Sequence, residues 1–170
     1  MANPESIEAR LERLEAINDI RNVMADYCHY YDTGWDGAGR DPDKVGELFL
    51  EDGVWEGGMA GRHVGRKTIR DWCANLGHAA DMSCHIVMNP KIEVDGDKAK
   101  GSWAGFIPLI SPDKEALWIC GRYECDFARK DGAWKIAVLR FFTAFQTPYE
   151  EGFGKVRYHR SDRYERALPS

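Results

Sequence analysis

A chain of 170 residues, 44% hydrophobic and 12% aromatic, is long enough to bury one core around a pocket and short for two domains. Lys and Arg total 23 against 28 Asp and Glu, a net charge of −5, which excludes an electrostatic footprint for nucleic acid or an anionic membrane and favours a small-molecule partner. Five irregularly spaced cysteines, an acidic helical start (MANPESIEARLERLE) and no apolar run near the ~18 residues of a membrane span predict a soluble cytoplasmic protein with reduced thiols.

Ile7, Leu11, Leu14, Ile17, Met24, Cys28 and Tyr31 recur at three- and four-residue steps and predict an amphipathic helix of about 25 residues. It would start at Asn3-Pro4-Glu5 and leave at Thr33-Gly34. Asp41-Pro42 caps and starts a second helix, with Val45, Leu48 and Phe49 as its apolar face and Gly53 as its stop. VWEGG reads as a short strand, Gly61 to Gly65 as a turn, and Lys67 to Leu76 as a third helix ended by Gly77.

Beyond Gly77 the period becomes two. HIVMNPKIEV and KAKGSWAGFIPLI form a hairpin around DGD, and Leu117 to Arg129 pairs with Trp134 to Phe145 around Lys130-Asp131-Gly132. Helices followed by a curved run of antiparallel strands make a single α+β domain, a cone in which the sheet wraps the long first helix. That domain spans residues 1–148, and 149–170 is a polar, extended tail. Glycines 101, 105 and 121 mark either bends in the strands or close approach of a ligand.

The stretch YCHYYDTGWD, at the end of the first helix, carries a carboxylate where apolar side chains should turn inward. Asp32 at the negative end of a helix is electrostatically misplaced and needs a cationic or protonated group opposite it. Tyr27 and Tyr31 lie within about a turn of it. His29 falls on the outer helix face, and His63 and His78 fall in turns. His85 opens a strand before Ile86, Val87 and Met88, so its ring is placed to face the interior, where it requires a partner. An Asp that orients a His is a general acid–base pair working near neutral pH without a cofactor.

Strict alternation in WKIAVLRFF puts Arg140 on the face of Trp134, Ile136, Val138 and Phe142, as a clamp for a substrate oxygen or the structural partner of Asp32. Trp55, Trp103, Phe106, Trp118, Tyr123 and Phe142 supply more aromatic surface than a small core requires and are candidates for lining a cavity. No glycine-rich phosphate loop, G-x-S-x-G elbow or His/Cys cluster at metal-ligand spacing is present, so no metal site is expected. Cys84 and His85 are strand neighbours pointing to opposite faces, which argues against a thiol–imidazole dyad.

Taken in order, LEAINDIRNVMADYCHYYDTGWD, LFLEDGVWEGG with GRHVGRKTIRDW, His85 before a strand, and YECDFARKDGAWKIAVLRFFTAFQTP resemble the SnoaL-like branch of the nuclear transport factor 2-like superfamily. The likeness covers roughly residues 7 to 148. It implies a cone-shaped α+β barrel, a curved and mostly antiparallel sheet around the first helix, a pocket inside, and a homo-oligomer, trimer favoured over dimer. It also implies cofactor-free catalysis, with Asp32 and His85 at the positions of the catalytic aspartate and histidine. Tyr27 and Tyr31 fall where members carry active-site tyrosines. A second histidine important in one member has no counterpart, Trp103, Phe106 and Leu109 standing on that strand instead.

The expectation is a cofactor-independent lyase, a dehydratase or related elimination, acting on a bulky hydrophobic, hydroxylated aromatic or steroid-like molecule. The alternatives are a noncatalytic binding or oxygenase small-subunit-like assembly protein, and a polyketide cyclase or isomerase.

Overall fold

Ser6 opens the first helix by accepting a hydrogen bond from the Ala9 amide, and α1 then runs 25 residues, Ile7–Tyr31. In the computed structural model the described residues are 6–35, 39–76 and 80–159. The expected helix start at Asn3-Pro4-Glu5, the stop at Gly77, the turn at His78 and the tail from Arg160 onward lie outside them.

The buried face of α1 is Ala16, Ile20, Met24, Tyr27, Cys28 and Tyr31. Ile7, Leu11 and Leu14, expected on that face, are exposed at 77%, 54% and 61%. At ~100° per residue they sit on the side of the helix away from Ala9, Ala16 and Ile20, so only the later turns enter the core.

Asp41 caps α2 (Pro42–Glu47) through the Lys44 amide. That helix is shorter than expected, because Phe49 already belongs to β1 (Phe49–Glu56), which bulges between Phe49 and Val54. The Gly61–Gly65 turn contains a short strand, β2 (Arg62–Val64), paired with β1. α3 (Arg66–Asn75) buries Ile69, Trp72 and Cys73.

The remaining strands are β3 (Met82–Ser83), β4 (Ile86–Asp95), β5 (Lys98–Ile110), β6 (Ala116–Lys130) and β7 (Ala133–Pro148). Among the described residues they form one seven-stranded sheet in the order β2-β1-β7-β6-β5-β3, with β4 also on β5. All pairs are antiparallel except β1 with β7. The sheet curls around the second half of α1, the mixed helix and half-barrel arrangement expected. Past Pro148 the chain turns back, and Gln146 bonds through its backbone to Arg157 and His159. The described part of the tail is thus folded against β7 rather than extended.

Two bulges in β7 decide which side chains face inward. Phe127 pairs with Ile136 and Asp126 with Val138, leaving Ala137 extra; Gly121 pairs with Thr143 and Cys120 with Phe145, leaving Ala144 extra. Each extra residue flips every following side chain to the other face. After the first bulge, Leu139, Phe141 and Thr143 turn inward and Arg140 and Phe142 turn out. After the second, Gln146 returns to the interior.

Candidate active site

At the end of α1 the backbone becomes extended at Asp32, whose amide still bonds to the Cys28 carbonyl, and the turn drives the carboxylate into the core at 1% exposure. Thr33 and Gly34 then donate backbone hydrogen bonds to the Ser83 carbonyl, and the Ser83 amide donates to the Thr33 hydroxyl. These bonds fix the helix exit against the segment leading into β4. A side chain at Gly34 would sit 2.8 Å from the Cys84 sulfur and 2.9 Å from the Ser83 carbonyl oxygen, so the approach requires glycine.

His85 is gripped twice by that carboxylate. Its backbone amide donates to Oδ2 at 2.7 Å and its Nδ1 to Oδ1 at 2.5 Å, while Trp35 Nε1 donates to Oδ2 at 3.3 Å. A carboxylate only accepts, so Nδ1 carries the proton, and in the neutral ring Nε2 keeps a free lone pair. The misplaced charge at the helix terminus is thereby matched by three donors. Tyr31 stands edge-on to the imidazole at 4.9 Å between ring centroids and Tyr27 at 6.2 Å.

The ring borders a cavity with about 70 Å³ open to the centres of water-sized molecules, walled mainly by Trp55, Trp72, Ile107, Leu109, Ile119 and Tyr123. Tyr27 and Tyr31 also line it, as do Ser83, Phe141, Thr143 and Gln146. The Tyr27 hydroxyl accepts from Trp55 Nε1 at 2.8 Å, leaving its own proton to donate. Burial holds the Tyr27 and Tyr123 hydroxyls well above their usual pKa, so both stay protonated at neutral pH. A proton acceptor, hydroxyl donors and apolar walls therefore share one space.

Of the residues singled out from sequence, Asp32, His85, Tyr27, Tyr31, Trp55 and Tyr123 come together here. Arg140 does not: it sits on the outer face and pairs with Asp126 at 2.9 Å, because the bulge at Ala137 breaks the alternation on which its inward placement rested. Phe142, half-exposed, is turned out by the same bulge. Phe106 and Trp118 stack on each other at 5.2 Å on the outer face of β5 and β6, where the buried partners are the odd-numbered residues. Trp103 is buried but packs against Phe127, away from the cavity. Replacing Arg140 by Ala is accordingly expected to leave turnover within about twofold of wild type and stability within about 1 kcal/mol, since half-exposed ion pairs contribute little. Steady-state rates and thermal melts check both.

Sequence reasoning missed Trp72, Arg40 and Ser83. Trp72 lies on the buried face of α3 with Ile69 and Cys73, and only the packing of α3 on β1 turns that face toward the cavity. Ser83 precedes His85 by two residues and shares its face, a signal that alternation alone could have supplied. Arg40 follows a glycine-rich exit and carried no pattern. His63, expected in a turn, lies in β2 and stacks on Trp72 at 4.4 Å with Nε2 bonded to the Ala60 carbonyl; burial lowers its pKa. It supports the wall from behind.

The cysteines offer no nucleophile to the cavity. Burial pushes the Cys28 and Cys73 thiols up to about 12, and none of the five cysteines is in a disulfide. Among the described residues no three His, Cys, Asp or Glu side chains converge as a metal site would need, and no helix is long and apolar enough to cross a membrane.

The fold has known counterparts. The crystal structure of a hexachlorocyclohexane dehydrochlorinase, LinA type 2, superposes with a TM-score of 0.75 at 22% identity, covering 82% of this chain and 92% of that one. A putative scytalone dehydratase from Novosphingobium aromaticivorans does so with a TM-score of 0.70 at 20% identity, covering 81% and 89%. These likenesses establish the fold. An uncharacterized protein of Mycobacterium tuberculosis is 26% identical over 124 residues, 69% of this chain and 78% of its own length. The profile of the SnoaL-like domain matches residues 12–140, a stretch that holds most of α1, the Asp32–His85 pair and most of the sheet, and the chain belongs to that family.

Proposed function

We propose that the protein is a cofactor-independent lyase in which Asp32 and His85 form the acid–base dyad. The observation that carries this reading is the double grip of one buried carboxylate on the His85 amide and Nδ1, which holds the imidazole at the wall of an apolar cavity with Nε2 as its remaining nitrogen. Nε2 removes a proton from carbon, the electron pair forms a double bond, and the carbon–oxygen bond to the leaving hydroxyl breaks. Tyr27 or Tyr31, or the imidazolium just formed, donates the proton that lets the oxygen leave as water. The negative charge of Asp32 stabilises the imidazolium between the two transfers. Dehydrohalogenation, a retro-aldol step and double-bond isomerisation would use the same groups.

The neighbours' names, a dehydrochlorinase and a putative dehydratase, support an elimination. The cavity, about 70 Å³, holds on the order of five waters and favours a compact hydroxylated aromatic over a steroid. Assembly into a homotrimer belongs to the same reading, supported by the aromatic outer face formed by Phe106, Trp118 and the half-exposed Phe142.

Hydroxylated aromatic compounds are screened with purified protein, without added metal or cofactor, and new conjugation is followed by ultraviolet absorbance. Turnover by wild type is the expected result. Binding of such compounds without conversion would replace the lyase with a noncatalytic ligand-binding protein.

A further inference from the structure

Two polar groups on the cavity wall have no part in the dyad. Ser83 Oγ is buried, its residue 2% exposed, and meets no described protein partner. A buried hydroxyl without a partner costs stability, and its persistence beside a cavity points to a ligand atom as the partner. Ser83 cannot swing away, since its amide and carbonyl are both held by the Thr33-Gly34 turn.

Arg40 is the second group. Among the described residues it is the one Lys or Arg that lines the cavity. Its Nε donates to the Tyr31 carbonyl at 3.0 Å, and its Cζ lies 5.7 Å from the centre of the Tyr31 ring. The other side of the relation is His85, 4.9 Å from that same ring, so the guanidinium is one aromatic ring removed from the dyad. No described carboxylate pairs with it, although the residue lines the cavity. A guanidinium fork anchored through Nε presents a planar pair of donors suited to a carboxylate.

We propose that Arg40 and Ser83 form an oxyanion-binding pole at the dyad end of the cavity, and that the substrate is a compact apolar ring carrying a carboxylate. In naming the substrate class this rests on the lyase reading. A carboxylate held by Arg40 turns the apolar remainder toward Trp55, Trp72 and Ile119 and fixes which carbon meets His85 Nε2. It also favours acids over neutral compounds of the same shape.

The test measures binding alone. Trp55 and Trp72 line the cavity, so tryptophan fluorescence reports occupancy. Benzoate and trans-cinnamate are titrated against benzamide and cinnamamide, with wild type, Arg40→Gln, Arg40→Lys and Ser83→Ala. These probes carry no leaving group, so their binding tests the pole apart from turnover: a protein that prefers the acids here yet converts none of the hydroxylated aromatic compounds of the turnover screen refutes the lyase and leaves the pole standing. The reverse result refutes the pole alone.

Wild type is expected to prefer acid to amide by about tenfold to a hundredfold. Arg40→Gln should bring that ratio to about one with amide binding unchanged, and Arg40→Lys should keep part of it. Ser83→Ala should weaken acid binding several-fold while its melting temperature holds or rises, because the hydroxyl has no protein bond to lose. Equal binding of acid and amide by wild type, binding of neither, or an Arg40→Gln protein that keeps the preference would overturn the assignment. So would a Ser83→Ala protein that loses stability and keeps its affinity.

Discussion

Asp32→Asn is expected to fold and to lose about 10³–10⁴-fold in kcat, the largest effect on activity of any conservative change in the chain. The reason lies in what each carboxylate oxygen accepts. Oδ2 takes the His85 amide and Trp35 Nε1, two donors that cannot reverse their roles, so the single oxygen of asparagine must remain there. The asparagine amide then faces Nδ1, and a donor there is satisfied only if Nδ1 becomes the acceptor. The ring shifts its proton to Nε2, and the lone pair aimed at the cavity disappears. The alternative flip keeps the tautomer but sets the asparagine amide against two backbone and indole donors. Either way a buried bond is lost, and stability should fall by about 1–3 kcal/mol.

His85→Ala removes the base outright and should match Asp32→Asn in kcat, and the double variant should be little worse than either single one, since the pair acts as a unit. Saturating rates, with circular dichroism and thermal melts as controls for folding, read the result. An Asp32→Asn protein retaining more than about a tenth of wild-type kcat would remove the dyad from the mechanism.

That pair was legible before the fold was known, and the reason is physical. A carboxylate at the wrong end of an amphipathic helix and an imidazole opening an apolar strand are each improbable in isolation, and each supplies what the other lacks. The hairpins were legible for a similar reason: Asp131 and Gly132 both take positive φ in the turn, a conformation that Asp-Gly supplies. Arg140 and Phe142 were misplaced because one-residue slips in β7 leave no trace in a pattern of period two. Arg40 was missed because its position depends on where α1 ends and α2 begins, not on any periodicity of its own. Of the two polar groups that the dyad does not explain, Arg40 is therefore the one that only packing could locate, whereas Ser83 could have been read from its spacing to His85. The exposed Ile7, Leu11 and Leu14 show the converse limit, a helical stripe that is apolar in sequence and yet rotated away from the core of this chain.

Gly121→Ala is expected to have the largest effect on the fold of any one-carbon addition to the sheet, about 2–4 kcal/mol of stability. Gly105 and Gly121 face each other across β5 and β6, beneath the rings of Tyr123 and Phe141, which form part of the cavity wall. A Cβ at Gly121 would lie 2.4 Å from the Phe142 carbonyl oxygen and 2.5 Å from Phe141 Cζ. The ring can tilt, but the carbonyl belongs to the β6–β7 ladder beside the second bulge and cannot move without shifting the strand. Moving it would carry Thr143 and Phe141 with it, since both stand between the two bulges. The alanine protein should therefore show a lower melting temperature and a weakened affinity for any cavity ligand, with kcat reduced alongside. Gly105→Ala is the control: the nearest atoms to its Cβ would belong to the Tyr123 and Phe141 rings, at 2.7 Å and beyond, so rotation of side chains can absorb part of the strain and the loss should be smaller. Equal destabilisation by the two alanines would mean that the backbone at Gly121 is free to yield. The second bulge would then be a consequence of the glycine rather than the fixed device that returns Gln146 to the interior.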